Sequence, residues 1–244
     1  MDRRNFLKGA GVAGLGVPAA SSAWSDQLAA IEEFWRSTGL RRRTRTAAII
    51  GVGGAACNAV QAARASGVLE GAKFTPRYSL VDLGQQAFQH IASTVPGDRP
   101  VKTLALAPNG AGGWLNAARV MALRQRESLR ALLAGADMVV LVAGLGGGTG
   151  SGVTPIIARL ARNAGIFTVA TVVMPFSYET VRCQTARTAI KYLRCEADLV
   201  MEISNEDWSQ GRDDMPVADV LAGLDRHIGE RIRGVLDNAN VLRV

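Results

Sequence analysis

Residues Gly146, Gly147, Gly148, Thr149, Gly150, Ser151 and Gly152 put five glycines into seven positions, with hydroxyls at the other two. The run follows an apolar stretch, Asp137 to Ala143, and leads into a helical pattern from Val153 to Asn163. Glycines at that place leave a row of backbone N–H groups with no side chains in front of them. At a helix N-terminus, unpaired amides and the helix dipole together favour an anion, and phosphate above all. Thr149 and Ser151 add hydroxyl donors. A flexible linker has a similar composition, but linkers do not join a buried strand to an amphipathic helix. The pattern predicts a phosphate loop.

A second glycine turn, Gly51-Val52-Gly53-Gly54-Ala55-Ala56, follows an earlier apolar strand. Alone it fits the dinucleotide fingerprint, and Asp82 would be the ribose-binding acid of a nicotinamide-dependent oxidoreductase. Asp82 comes 31 residues after Gly51, later than that fold places it. A dinucleotide site also has no use for a second, richer glycine loop. With a third turn, Gly110-Ala111-Gly112-Gly113, the chain carries three such loops. Three loops suggest a triphosphate gripped from several sides. Other chemistries find little support. His90 and His227 are the only histidines, and Cys57, Cys183 and Cys195 form no Cys-x-x-Cys pair. Neither a histidine metal centre nor a disulfide framework is indicated, and no metal-ligand set is expected.

These loops need elements to hold them. Apolar strand patterns cover 47–50, 78–81, 103–107, 138–143, 167–173 and 199–203; helical patterns cover 55–65, 85–92, 115–134, 153–163, 181–195 and 217–236. Alternation of this kind, with near-continuous apolar strands, predicts a doubly wound α/β domain whose mostly parallel sheet has helices on both faces. Ligands of such domains sit at the carboxyl ends of the strands, where every glycine turn falls.

The 244 residues carry a net charge of +7, and 48% are hydrophobic. The first 45 residues hold eight Lys/Arg against four Asp/Glu, a surplus of +4, so the body is nearly balanced. The basic balance is therefore poor support for a nucleic-acid partner. Three segments are expected: residues 1–25, an export-like or disordered tail; 26–45, an amphipathic helix with a basic linker; and 46–244, the nucleotide-binding domain. Asp2-Arg3-Arg4-Asn5-Phe6-Leu7-Lys8, an apolar stretch from Gly9 to Ala20 and the small residues Ser21-Ser22-Ala23 match a twin-arginine signal in order. The apolar stretch is too short and glycine-rich to span a bilayer. Leu28, Ile31, Phe34 and Trp35 lie at helical spacing, ahead of Arg41, Arg42, Arg43 and Arg45. That helix is expected to dock on the domain, with contact to anionic lipid as the alternative.

Taken together, the motifs resemble the nucleotide-binding domain of the tubulin and FtsZ family. Gly146–Gly152 has the tubulin form of that family's glycine loop. Gly51-Val52-Gly53-Gly54 with Asn58-Ala59-Val60, Gly135-Ala136-Asp137-Met138-Val139, Gly165 to Ala170, and Pro175-Phe176-Ser177-Tyr178-Glu179 agree in order and spacing. The similarity runs from about Thr46 to Leu236. It implies GTP or GDP as the ligand, with Mg2+ held through the phosphates. The amides of Gly54, Ala55, Ala56 and Cys57, with the Asn58 side chain, would line the α- and β-phosphates. Gly110, Ala111 and Gly112 would approach the γ-phosphate, and Gly147, Gly148, Thr149, Gly150 and Ser151 would cradle the phosphates from the opposite side. Glu179 would accept from the ribose hydroxyls, and Arg182 lies where the family has a base-contacting arginine. Asn205 and Asp225 would read guanine. Each has a plainer alternative: Asn58 as a cap residue, Glu179 as a solvated acid, Asp225 as an exposed helical charge.

The sequence also departs from the family. Ala55, Ala56 and Cys57 replace glycines, the second loop (Leu80 to Gly84) lacks an Asn-Thr-Asp run, Gly113-Trp114-Leu115 replaces the usual segment after the third loop, and Leu221 replaces a stacking aromatic. The acidic loop that activates water in the family belongs to a second domain with no counterpart before Val244. The resemblance therefore implies weak or partner-dependent GTP hydrolysis, in a switch or scaffold of an envelope- or division-related assembly. Its partners would be the chain itself, another FtsZ-like protein or a membrane-associated one. The expected location is the cytoplasm, with peripheral membrane contact through the N-terminus; the periplasm is the alternative. A non-catalytic interaction module that has lost its nucleotide is the competing reading.

Overall fold

The computed structural model describes residues 29, 45–88, 101–107, 112–212 and 214–238. The export-like tail, most of the amphipathic and basic segment, and residues 110 and 111 of the third loop lie outside them.

Six strands, β1 (Arg45–Val52), β2 (Phe74–Asp82), β3 (Lys102–Ala105), β4 (Met138–Gly144), β5 (Phe167–Met174) and β6 (Leu199–Ser204), form one sheet. Its order is β3-β2-β1-β4-β5-β6, and every neighbouring pair is parallel. The helices are α1 (Gly54–Ala65), α2 (Leu115–Arg124), α3 (Arg126–Leu133), α4 (Gly148–Asn163), α5 (Thr180–Glu196), α6 (Asn205–Ser209) and α7 (Val217–Asn238). This is the doubly wound α/β architecture that the alternation predicts.

The central strands are buried on both sides, so the period of two sorts apolar residues between two cores rather than between core and water. Ala47 and Ile49 of β1, with Met138, Val140 and Val142 of β4, pack under α1 and α7. Ala48 and Ile50, with Val139, Leu141 and Ala143, pack under α2, α3, α4 and α5. The strand order reverses between β1 and β4, so α1 and α4 leave the sheet on opposite faces from adjacent strand ends. That crevice is where a doubly wound sheet binds its ligand.

Several boundaries differ from the sequence pattern. α4 starts at Gly148, so the glycine run is the first turn and a half of the helix rather than a loop ahead of it. Tertiary packing outweighs the low helix propensity of glycine there. A methyl on Gly152 would lie 2.5 Å from the Leu115 carbonyl oxygen and 2.7 Å from Ala118 Cβ, which shows how tightly α2 sits on α4. The pattern over 115–134 divides at Gln125 (φ −99°, ψ 20°) into α2 and α3. The pattern over 85–92 gives a 3-10 turn at Gln85–Phe88, its remainder lying outside the described residues. α6 is an element the sequence reading did not anticipate.

Gly152→Ala sets a gain in helix propensity of about 1 kcal/mol against overpacking of roughly 1–3 kcal/mol. The crowding falls on backbone, so overpacking prevails, and the midpoint of urea unfolding is expected to drop. Gly147→Ala, with φ −93° and open space around the added methyl, is expected to leave it within about 0.5 kcal/mol of the parent.

Candidate functional site

The first loop leaves β1 and turns at Gly53, whose φ of 86° suits glycine. The Gly53 amide donates to the Val81 carbonyl (2.9 Å), which pins the turn to the end of β2. α1 starts at once, and its first intrahelical bond runs from the Cys57 amide to the Gly53 carbonyl at 2.9 Å. The amides of Gly54, Ala55 and Ala56 precede that bond and face the edge without a helical acceptor. Gly54 and Ala55 are exposed, and Ala56 is buried at the level of its side chain.

The Cys57 amide, expected at the phosphates, is consumed inside the helix. The residue is 1% exposed, and its Sγ lies 3.6 Å from the Gly51 carbonyl and 3.9 Å from that of Val81. Burial, with the charge of Asp82 adding to it, pushes the thiol up to about 12. Cys57 therefore fills the space under the turn. Asn58 is exposed on the second turn of α1.

The glycine run is built in the same way on the other face. Gly146 has φ 101°, and its amide donates to Ser151 Oγ at 2.8 Å. The Ser151 amide donates to the Gly147 carbonyl (3.3 Å), and the residue is 1% exposed. Ser151 is thus a buried brace of the turn, with its amide and hydroxyl both engaged, rather than a surface donor. Gly148, Thr149 and Gly150 supply the amides that precede the helical ladder.

The two turns touch. A methyl on Gly53 would lie 3.4 Å from the Gly150 amide nitrogen and 3.6 Å from Thr149 Cβ. Thr149 Oγ1 donates to Asp82 Oδ1 (3.0 Å), and the Leu83 amide donates to the same oxygen (2.6 Å). Asp82 therefore ties the end of β2 to α4. The third turn closes the group from outside: a methyl on Gly148 would lie 2.9 Å from the Gly113 carbonyl carbon and 3.1 Å from the Trp114 nitrogen. Gly112 lies in that turn; Gly110 and Ala111 fall outside the described residues.

The remaining expected residues line the β5–β6 side. Glu179 Oε2 accepts from the Phe176 amide (3.0 Å), and its Oε1 accepts from Arg182 Nη1. A methyl on Gly146 would lie 2.9 Å from Arg182 Cβ, so the start of α5 rests on the glycine turn. Asn205 opens α6, where Ser204 Oγ caps the Asp207 amide. Glu206 Oε2 accepts from the amide and hydroxyl of Ser177 (3.1 Å each), which fastens the 176–178 turn beside Asn205. Asp225 lies on α7, half-buried, and burial raises its carboxyl to about 6. It is not the exposed helical charge of the plainer alternative.

Sequence reasoning missed how α6 and α7 are joined. The Trp208 ring stacks on His227 (centroids 4.9 Å apart) and under the Arg212 guanidinium (4.1 Å), and Trp208 Nε1 donates to the Val220 carbonyl (3.1 Å). A methyl on Gly223 would lie 3.1 Å from this indole. A lone tryptophan in a short polar stretch, followed by a glycine inside a long helical pattern, was the available signal.

The fold and the site define a doubly wound α/β domain, with two helix N-termini and a glycine turn converging at the switch point of a parallel sheet. Comparison with known sequences places it further. The sequence model described as the Tubulin/FtsZ family, GTPase domain, matches residues 46–212, and the chain belongs to that family. It is 38% identical over 201 residues to the cell division protein FtsZ of Pseudomonas aeruginosa, covering 78% of this chain and 49% of that protein. The chain thus spans about half the length of that relative. Among solved structures, an FtsZ W319Y mutant from M. jannaschii aligns with a TM-score of 0.69 at 25% identity, over 87% of this chain and 61% of that one. CetZ2 from Haloferax volcanii, solved as a GTPγS-bound protofilament, aligns with a TM-score of 0.66 at 23% identity, over 80% and 58%. Asp82, the ribose acid of the dinucleotide alternative, has its Oδ1 bonded to Thr149 and Leu83.

The burial of Cys57 carries a chemical expectation. Under native conditions at mildly alkaline pH, iodoacetamide is expected to alkylate Cys183 and Cys195, which are half-buried and exposed, and to leave Cys57 unmodified until the protein is unfolded. Peptide mass spectrometry of the two samples reads this out, and native labelling of Cys57 would contradict the closed turn.

Proposed function

We propose that this domain binds GTP and GDP at the carboxyl edge of β1 and β4, and that it hydrolyses GTP weakly or with a partner's help. The observation that carries this reading is the mutual contact of three turns around two sets of free helical amides. The spaces where methyls on Gly53 and Gly148 would stand are already bounded by backbone. A polyphosphate fits this arrangement because donors come from opposite faces of the sheet, with two helix dipoles adding their positive ends. Bound nucleotide would supply the phosphoanhydride to be cleaved, and Mg2+ would ride on the phosphates. Among the described residues no cluster of three or more His, Cys, Asp or Glu is arranged to hold a metal.

This chain's residues would hold, orient and discriminate. Gly54, Ala55 and Ala56 would donate from α1, and Gly148, Thr149 and Gly150 from α4. Glu179, steadied by Arg182 and the Phe176 amide, would accept from the ribose. Asn205 and ionised Asp225 would face the base, where a carboxylate accepts from guanine's N1–H and exocyclic amine, and adenine offers no such pair.

What supports weak hydrolysis is that the carboxylates beside the turns are held by this chain's own groups. Activating water needs a free, positioned base. Asp82 is engaged by Thr149 and Leu83, and Glu179 by Arg182 and Phe176. A partner, either a second copy or another FtsZ-like or membrane-associated protein, would supply the missing carboxylate, and the assembly would act as a switch or scaffold in division or envelope work. The proposed location is the cytoplasm. N-terminal sequencing of the mature protein from fractionated cells tests this, and cleavage after Ala23 in the periplasmic fraction would overturn it.

Calorimetric titration of the full chain with GTP, ATP and NAD separates the readings: heat with GTP alone supports the proposal, and silence with all three leaves an interaction module. Gly148→Ser is expected to weaken GTP by about a hundredfold or more, on the order of 3 kcal/mol, with the circular dichroism spectrum retained.

Asp225 makes a second test. Its folded carboxyl stands near 6, above the ordinary 3.8, so the folded state holds its proton more tightly than the unfolded chain does. Stability therefore falls as pH rises through that window. Asp225→Asn is expected to be more stable than the parent at pH 7.5 and no more stable at pH 3.5, by urea unfolding. GTP affinity is expected to decline as pH drops below about 6 in the parent and to stay flat in the variant.

A further inference from the structure

The near balance of charge over the body conceals a division between its two helical layers. α2, α3, α4 and α5 together carry ten Arg/Lys against two acids, Glu127 and Glu196, a surplus of eight. On the opposite layer, α1 and α7 carry four arginines against four acids. Much of the surplus is locked internally. Arg159 and Arg162 share the buried carboxylate of Glu196, Arg126 and Arg130 meet Glu127, Arg182 meets Glu179 and Arg194 meets Glu202. Arg124, Arg187 and Lys191 form no ion pair with a described acid, and all three are exposed.

These cations surround apolar surface. The Arg119 guanidinium lies 4.4 Å from the centroid of the Tyr192 ring, so α2 and α5 meet across the outside of α4. Tyr192 remains 43% exposed, Val120 49% and Leu123 47%. Arg119 and Leu123, four residues apart, share one stripe of α2 with Val120 a turn before Leu123; Arg187 and Lys191, four apart, share one stripe of α5, and Tyr192 lies on the flank of that helix turned toward Arg119. Large apolar side chains held in water beside unpaired cations are a cost to a solvated surface, and they mark a contact face.

We infer that this face, the outer stripes of α2 and α5 bridged by Arg119 on Tyr192, docks on an anionic lipid bilayer. Lipid headgroups satisfy both features at once. Their negative charge draws Arg124, Arg187 and Lys191, while the boundary between headgroup and acyl chain accepts Val120, Leu123 and the Tyr192 ring. A nucleic acid meets the cations but offers no apolar medium for two aliphatic side chains, and one face of the aromatic ring is already covered by Arg119. The described helices include none long and apolar enough to cross a membrane, so the contact is peripheral. It needs no bound nucleotide.

The test is co-sedimentation of the full chain with vesicles of phosphatidylcholine alone or mixed with phosphatidylglycerol, in low and high salt, alongside a labelled DNA oligonucleotide. The parent is expected to sediment with the mixed vesicles and to be released by salt. The double variant Arg187→Glu/Lys191→Glu is expected to partition at least about tenfold less, and Leu123→Ser about threefold less. Both variants change exposed positions, and their unfolding midpoints should match the parent's. The inference is overturned if both variants sediment like the parent, which would assign binding to residues 1–44. It is equally overturned if the parent favours pure phosphatidylcholine, or if the substitutions abolish DNA binding while leaving vesicle binding unchanged.

Discussion

The seat of α4 on the end of β4 is the contact on which the rest of the site depends. Gly150 lies so close to the Gly144 carbonyl that a methyl there would overlap its oxygen, and Gly152 abuts the Leu115 carbonyl in the same manner. A helix bearing ordinary side chains at these two positions would have to stand off the sheet. It would then carry its leading amides away from the first loop, and the approach of Gly53 to Gly150 would open. The glycines reduce local helix propensity by about 1 kcal/mol each. That cost is offset by burial along the rest of α4, where Val153, Ile157, Ala158 and Ala161 are fully enclosed.

Once the helix is seated, the polar groups around it have few arrangements left. The Gly146 amide would be a buried orphan without Ser151 Oγ, and such an orphan costs roughly 1–3 kcal/mol. The Thr149 hydroxyl would be loose without Asp82. These two side-chain bonds hold the turn from either flank, one within the run and one across to β2. The same logic works on α1, where Cys57 occupies the volume beneath the turn. Both helices therefore use their fourth residue as a brace and only their first three as open donors.

The sequence showed the sheet clearly because strands buried on both faces read as near-continuous apolar runs, a signal that survives any change of partner. The glycine run was equally visible as a phosphate motif, although its assignment to a loop was wrong: propensity spoke against helix, and tertiary contact decided. The amides of Cys57 and Ser151, expected at the phosphates, bond within their own helices for a geometric reason. A motif gives residue order, whereas the use of an amide depends on where the helical ladder begins, one residue earlier or later. The α6 brace was hidden for a different reason. Trp208 and His227 are nineteen positions apart, and their stacking follows from the crossing of two helices rather than from any local pattern.

That brace bears on how Asn205 and Asp225 are placed relative to one another. Asn205 belongs to a helix of five residues, too short to hold itself in place by its own ladder. Asp225 belongs to a helix anchored far below by Ile228, Ile232 and Val235 in the core. For the two to face one base at a fixed separation, the short helix must be tied to the long one. The indole does this with its ring on His227 and its N–H on the Val220 carbonyl. Burial lowers the pKa of His227, and the neighbouring Arg231 and Arg212 charges lower it further. A neutral imidazole accepts the Arg231 Nε–H bond at 3.1 Å, whereas a protonated ring would confront that guanidinium with like charge. The spacing of Asn205 and Asp225 thus rests on an aromatic contact whose imidazole takes the Arg231 bond as a neutral ring, with Glu230 3.9 Å from its other nitrogen pulling the other way.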